Sequence, residues 1–161
     1  MPRIDLNQLD DDARIWIFGI SPPLDAQKSA RMLEEVDAFL AGWTAHNVPV
    51  AGARELRDGA FLIIAVGKDT EQSGCSIDRM FGLLRQFERD FGVAILDPNR
   101  VFVRGGDGGV HAVTRAEFRE SGDPHTIVFD TLAERLGDVR RGRWERRAEE
   151  SWHRNLLRRT A

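Results

Sequence analysis

The chain is poor in cysteine and in long hydrophobic runs. Its one cysteine, Cys75, cannot form an internal disulfide, which excludes a disulfide-stabilised scaffold and a cysteine-rich zinc module. The longest apolar run, residues 61–66, is far too short to cross a bilayer. The N-terminus also lacks the basic start and apolar stretch of a secretory signal. These absences predict a cytoplasmic protein without a membrane partner.

The chain also lacks a large excess of charge of either sign, because its formal net charge is only −3. This balance argues against a nucleic-acid-binding protein. It conceals a basic C-terminal segment, residues 138–161, with eight arginines and four acidic residues, while residues 1–137 carry a net charge of −7. The acidic residues stand among the arginines at helix-pair spacing, which favours a solvated helix face or one docked on the acidic body. The alternative is an arm that binds phosphate groups or an acidic partner.

The apolar content is 42 % in 161 residues, which suffices for the core of one domain spanning residues 1–161. Residues 1–12 are a polar lead-in, and residues 138–161 are predicted to form a helical arm. Between them, apolar residues recur with strand and helix periods in the order strand, helix, strand, strand, helix, strand. The predicted strands are 14–20, 50–57, 61–66 and 101–104, and the predicted helices are 24–46 and 76–91. A glycine-rich hairpin turn at 105–109 is predicted to join strand 101–104 to a further strand at 110–113.

This order predicts an α+β fold of the ferredoxin-like, split β-α-β type, an antiparallel sheet with two helices on one face. The Asp58-Gly59 dipeptide is typical of a hairpin turn, and it favours this arrangement over a parallel sheet, which needs helical crossovers. The 61–66 run predicts a central strand. Residues 131–134 fit a capping box that opens a short helix. Additional C-terminal elements are a strand over 126–129 and a final helix with the apolar stripe Trp144, Ala148, Trp152 and Leu156.

The segment most suggestive of chemistry is Ser73-Gly74-Cys75-Ser76-Ile77-Asp78, at a strand-to-helix junction. Either Ser73 or Ser76 can cap the helix, and both choices place Cys75 beside free N–H groups at the positive end of the dipole. That position favours the thiolate, the nucleophilic form, and Gly74 leaves room for a ligand. The carboxylate of Asp78 disfavours the thiolate, so a reactive Cys75 requires a cation nearby.

His46 and His153 are the candidate cations, because each follows a tryptophan on a predicted buried helical stripe. The alternative is a purely structural role, in which each histidine is held by hydrogen bonds and Cys75 is a small buried apolar residue. Zinc ligation by Cys75, Asp78 and the two histidines has no supporting spacing, so no metal is predicted. The phosphate-loop pattern GxxxxGK[ST] is absent, as are GxSxG and a GxGxxG that opens a helix, and no cofactor is predicted.

From residue 14 to about 157 the chain resembles an uncharacterised family of small bacterial proteins. The likeness is carried by residues 14–17, 43–46, 73–78 and 151–153, of which Ser-Gly-Cys-Ser-Ile-Asp is the most specific. Members are sometimes labelled ABC-transporter ATPases, a label that this sequence does not support without a phosphate-binding loop. The resemblance implies no activity, but it implies that these segments belong together.

Two functions follow. In the first, Cys75 is a nucleophile or redox thiol, His46 or His153 is its partner, and Asp78 orients the group. Its small anionic or carbonyl-containing ligand lies against Ser73, Gly74, Ser76, Trp43 and Trp152. In the second, the chain is a non-enzymatic binding or assembly module in which Cys75 and the histidines are structural. In this second function the basic C-terminal arm is an interface that closes on its own domain or reaches a partner, and a homodimer is possible.

Overall fold

A computed structural model describes residues 1–70 and 73–158 of the chain. Its strands and α-helices follow in an order that interleaves them along the whole chain. The elements are β1 (Arg14–Gly19), α1 (Ala26–Ala41), β2 (Thr44–Ala45), β3 (Val48–Pro49), β4 (Gly52–Arg57), β5 (Phe61–Val66), α2 (Gly74–Phe91), β6 (Arg100–Arg104), β7 (Val110–Thr114), α3 (Arg115–Ser121), β8 (Ile127–Phe129), α4 (Leu136–Arg140) and β9 (Glu145–Arg147). Short 3-10 helices cover Leu6–Gln8, Ala148–Glu150 and Trp152–Leu156.

The first sheet has three strands, and β5 lies between β1 and β4 and is antiparallel to both. Asp58 and Gly59, with φ of 56° and 63°, form the turn that joins β4 to β5. Two consecutive residues with positive φ define the type I′ turn, whose twist matches that of the strands. The predicted hairpin and the central position of β5 are both confirmed.

Helices α1 and α2 cover one face of this sheet. Every residue of β5 is buried, and its alternate side chains Leu62, Ile64 and Val66 point into the core beneath the helices. The helices contribute residues spaced three or four apart, namely Met32, Val36, Leu40, Met80, Leu84 and Phe87. The prediction of two helices on one face of an antiparallel sheet is therefore confirmed.

A second sheet, with the strand order β7-β6-β8-β9, covers the opposite face. Phe61 of β5 is at the centre of this contact, and its ring centroid lies 5.2 Å from Phe102, 4.8 Å from Phe129 and 4.9 Å from Trp144. The far face of the second sheet forms a smaller core with α3 and the C-terminal 3-10 helices around Phe118. The chain thus stacks helices, sheet, sheet and a short helical layer.

The α+β class is confirmed, but the ferredoxin-like arrangement is not. In that arrangement the strand after α2 would add to the first sheet. Here that strand is β6, and it pairs with β7 and β8. The described part of the chain has no helix long and apolar enough to span a membrane.

The continuous C-terminal helix predicted from the four-residue spacing is not formed. Gly142, at φ 68°, turns the chain after α4, and β9 then pairs with β8. Trp144 packs between the two sheets while Ala148 lies in the smaller core beyond them, so the apolar spacing serves two different cores. The predicted capping box over residues 131–134 is also wrong, because α4 begins later, after Arg135, with no side-chain cap.

Part of the basic C-terminal segment docks on the acidic N-terminal lead-in. Arg140 and Arg141 both reach Asp11, at 3.1 and 2.8 Å. Arg143 and Arg147 pair with acidic residues of the segment itself, Asp138 and Glu149. These contacts agree with the interpretation of a basic segment balanced by the chain's own carboxylates.

Gly19 tests how closely the two sheets approach. A Cβ on Gly19 would overlap ring carbons of Phe102, so Gly19→Ala should destabilise the fold by about 1–3 kcal/mol through overpacking. Gly82 on α2 is the matched control, since a Cβ there meets nothing within 4 Å. Gly82→Ala should stabilise by roughly 0.5–1 kcal/mol through helix propensity. Urea unfolding measures both, and a Gly19→Ala variant as stable as the parent would contradict the packing.

Candidate functional site

The first turn of α2 is held by a reciprocal pair of serines. Ser73 is the N-cap: its Oγ accepts the Ser76 N–H at 3.1 Å, and the Ser76 Oγ accepts the Ser73 N–H at 3.1 Å. The Ser76 hydroxyl also donates to the Ser73 carbonyl at 2.8 Å. The sequence left open whether Ser73 or Ser76 caps the helix, and the structure shows that Ser73 does.

Trp43 fixes this turn to the rest of the helical layer. Its indole Nε1 donates to the Ser76 carbonyl at 3.1 Å in a buried hydrogen bond. Trp43 and Ser76 are 1 % and 2 % exposed. These two predicted ligand-binding residues are therefore part of the support of the α2 N-terminus, out of reach of a ligand in solution.

Cys75 is exposed on the outer side of this first turn, with Gly74 and Asp78 exposed beside it. The alternative of a buried, hydrophobic cysteine is thus wrong. The position after the cap is the one where free backbone N–H groups and the dipole stabilise a negative charge. The thiol is accessible, but it has no hydrogen-bond or ion-pair partner among the residues that the structure describes.

His46 lies outside the helix that was predicted to carry it. Helix α1 ends at Ala41, and His46 and Asn47 form the turn between β2 and β3 with φ of 52° and 62°. The ring is exposed and does not lie on a buried stripe. Strand β2 contacts α2, so the hairpin brings His46 to the same side of the molecule as Cys75 without a bond between them.

His153 is buried as predicted, at 2 % exposure, but in a 3-10 helix of the outermost layer. Its Nδ1 shares a 2.7 Å hydrogen bond with the Ser151 hydroxyl, and its ring stacks on Trp152 at 3.9 Å between centroids. Burial lowers the pKa of His153 to about 4, with Asp130 opposing this shift and Arg115 adding to it. The ring is therefore neutral at pH 7 and serves as a structural group.

The layers separate His153 from Cys75. Cys75 belongs to the helical layer on one face of the first sheet, whereas His153 contacts Phe118 beyond the second sheet. Because stacked sheets lie about 10 Å apart, the thiol and the imidazole are far outside hydrogen-bond reach. Within residues 1–70 and 73–158, no three His, Cys, Asp or Glu side chains are grouped so that they could hold a metal ion.

Trp152, another predicted ligand-binding residue, forms one wall of a groove that the sequence did not indicate. Two adjoining cavities, of about 160 and about 180 Å³, share Ile17, Phe18, Thr131 and Leu132 as lining residues. We call the two together the β1 groove. Ile17 points toward the second sheet and Phe18 toward the helices, so the groove faces the edge of β1, not one of its sides.

The outer edge of β1 is paired at its two ends and unpaired between them. The Ile15 N–H donates to the Glu134 carbonyl at 3.0 Å, and Ser21 exchanges hydrogen bonds with Ala94 at 2.9 and 2.8 Å. Outward-facing groups recur every second residue, so the N–H and C=O of Ile17 and Gly19 also face outward. No hydrogen-bond partner for these groups is found in the described chain.

The walls of the groove are joined by hydrogen bonds and carry one cation, Arg115, without a carboxylate partner among the described residues. Asp130 accepts hydrogen bonds from the Trp152 Nε1 and from the Leu132 N–H, both at 3.0 Å, and so links the two walls. The Arg115 guanidinium lies 5.7 Å from the Trp152 ring centroid, and its Nε donates to the Pro98 carbonyl at 3.0 Å. Arg115 has no carboxylate partner within the described residues, whereas Arg100 nearby is paired with Asp97 at 3.0 Å.

Sequence reasoning missed Ile17, Gly19 and Arg115 as groove residues. Gly19, at the end of an otherwise apolar strand, was the one available signal, since an isolated strand glycine marks a close approach of another group. That group is Phe102, which no local pattern connects to Gly19.

Comparison with family models, with curated proteins and with solved structures finds no match to this chain. The resemblance to a family with a Ser-Gly-Cys-Ser-Ile-Asp motif therefore stays a prediction. The functional argument depends on the geometry of this chain alone.

The buried His153 gives the fold a defined pH dependence. Its pKa is near 4 when folded and near 6.5 when unfolded, so between these values the unfolded chain binds more protons and stability falls as pH falls. The slope should approach about 1.4 kcal/mol per pH unit in that window and vanish above it. Urea unfolding of the parent and of His153→Asn, which retains a partner for Ser151, at pH 7, 6 and 5 measures it. An equal slope in both proteins would contradict the assignment.

Proposed function

We propose that this protein is a non-enzymatic binding module whose ligand site is the β1 groove. The observation that carries the proposal is the unpaired stretch of the β1 edge, where the backbone N–H and C=O groups of Ile17 and Gly19 face the groove. A buried backbone group without a partner is costly, so a ligand that supplies partners gains those hydrogen bonds on binding. The cytoplasmic location and the homodimer stay predictions from the sequence.

The side chains around this edge favour a ligand that combines an apolar part with a negative charge. Leu132, 66 % exposed, and the half-buried Trp152 present apolar surface at the rim. Arg115 supplies a guanidinium without a carboxylate partner among the described residues, and its planar donors suit a carboxylate. An apolar lining with a few placed polar groups is the usual character of a small-molecule site.

Reactive-thiol chemistry at Cys75 is the second candidate, favoured by the exposure of Cys75 in the first turn of an 18-residue helix. The cap by Ser73 and the buried Trp43 hydrogen bond hold that turn in place. His46, on the neighbouring hairpin, is the histidine on this side of the molecule, while His153 is a structural residue. This candidate ranks second because the residues predicted to act together lie in separate layers: Cys75 is in the helical layer and His153 is beyond the second sheet.

Benzoate, a small apolar carboxylate, tests the binding module. Titration followed by ¹H–¹⁵N NMR should shift the Trp152 indole N–H and the amides of Ile17 and Gly19. Arg115→Gln should weaken binding about tenfold, because a charge-assisted hydrogen bond contributes about 1.5–3 kcal/mol. Arg119→Gln, an exposed arginine on the same helix, is the control and should bind as the parent does. Shifts elsewhere only, or equal binding by both variants, would contradict the proposed site.

Iodoacetamide alkylation tests the thiol candidate. If the first turn of α2 stabilises the thiolate, Cys75 should react roughly two- to fivefold faster at pH 7 in the folded protein than in the urea-unfolded chain. Ser73→Ala removes the cap and should reduce this ratio, while His46→Ala shows whether the hairpin contributes. A folded rate at or below the unfolded one would eliminate the thiol candidate and leave the groove proposal unaffected.

A further inference from the structure

The unpaired stretch of β1 has the geometry of a missing strand. The pairing of Ile15 with Glu134 ends it on one side, and the pairing of Ser21 with Ala94 ends it on the other. Between these contacts, the N–H and C=O of Ile17 and Gly19 alternate along the edge as donor and acceptor. Ile17 is only 7 % exposed, so these groups lie at the bottom of the groove and away from the open surface.

The alternating N–H and C=O groups of Ile17 and Gly19 favour a ligand that carries matching groups at the same spacing. A peptide in extended conformation offers C=O and N–H groups at the same repeat, so it can pair with both residues at once. A compact ligand such as an aromatic acid can satisfy at most part of the row. The backbone pattern therefore points to a short extended peptide as the ligand that uses the whole stretch.

The charges around the groove orient such a peptide. Arg115 lies at the Gly19 end, in the cavity that also holds Trp152. It is the cation there without a carboxylate partner among the described residues, since Arg100 is paired with Asp97 of the same cavity. Glu134 lies at the opposite end, with its carboxylate 3.3 Å from Arg14 and 63 % exposed. A negative group of the ligand thus belongs beside Gly19, and its backbone continues from there toward Glu134.

Resting on the proposed function, we propose that the β1 groove binds the C-terminal end of an extended peptide, which adds to the first sheet as a short strand parallel to β1. Its carboxylate lies beside Arg115, its backbone pairs with Ile17 and Gly19, and its side chains contact Leu132 and Trp152. The pairing of Ser21 with Ala94 blocks the edge beyond Gly19, which is why the strand ends there.

A second copy of this chain fits the groove less well. Edge-to-edge pairing of two β1 strands needs a longer free edge than the three residues 17–19, which span about 10 Å. Glu134 and Ala94 already occupy the neighbouring positions on the edge. A peptide of three residues matches the available length.

The test uses the full chain and three probes: acetyl-Val-Ala-Val with a free carboxylate, the same peptide with a C-terminal amide, and the free acid with N-methylated inner amides. Affinity is measured by ¹H–¹⁵N NMR titration, and hydrogen exchange of the Ile17 and Gly19 amides is followed in parallel. The free acid should bind, slow exchange at both amides and shift the Trp152 indole N–H. The amide-capped and N-methylated peptides should each bind about tenfold more weakly, and Arg115→Gln should weaken the free acid alone, with Arg119→Gln unchanged.

The outcomes separate this inference from the proposed function. If benzoate binds in the groove and the N-methylated peptide binds as well as the unmodified one, strand addition is wrong and the binding module stands. If neither benzoate nor any peptide shifts the groove resonances, both fail. If exchange at Ile17 and Gly19 slows with protein concentration in the absence of peptide, a second copy is the occupant and the peptide proposal is overturned.

Discussion

The structure depends on the burial of β5 on both of its faces. A strand with six apolar residues in succession cannot leave either face in water, because alternate side chains point to opposite sides of the sheet. Leu62, Ile64 and Val66 are covered by α1 and α2, and Phe61, Ile63 and Ala65 by the second sheet. Helices on one side and strands on the other follow from this one segment.

This constraint explains which parts of the fold the sequence predicts. The first sheet and its helices follow from local patterns: the continuous run of β5, the positive-φ turn at Asp58 and Gly59, and the stripes of α1 and α2. Within the second sheet, the hairpin of β6 and β7 and the short strand β8 were predicted, but not how they pair with one another or pack on β5. The position of this sheet depends on the aromatic residues that pack on Phe61, namely Phe102 in β6, Phe129 in β8 and Trp144 just before β9. No periodicity within one segment records such partners.

The candidate site divides in the same way. The cap at Ser73 and the helix N-terminal position of Cys75 are local features, and they could be predicted from the sequence. The placement of His46 failed because a helix period was extended past the true end of α1 into a turn with two positive-φ residues. The burial of His153 was foreseen, but not the two sheets that separate it from Cys75. The four-residue spacing of the C-terminal stripe looked helical because two separate cores both require apolar residues there, at Trp144 in one and at Ala148 and Leu156 in the other.

The path of β6 explains both why the edge of β1 is open and why the second sheet covers one face of β5. In a four-stranded sheet of the predicted kind, the strand after α2 would pair with β1 and leave the second face of β5 to another element. Here β6 crosses to that second face instead, where Phe102 packs on Phe61 and approaches Gly19 so closely that a Cβ would not fit. The connection from α2 to β6 forms backbone hydrogen bonds with this edge only at Ser21, and the segment before α4 forms them only near Ile15. The hydrogen-bonding groups of Ile17 and Gly19 thus remain available because β6 contributes its apolar side chains to the core instead of its backbone to the first sheet.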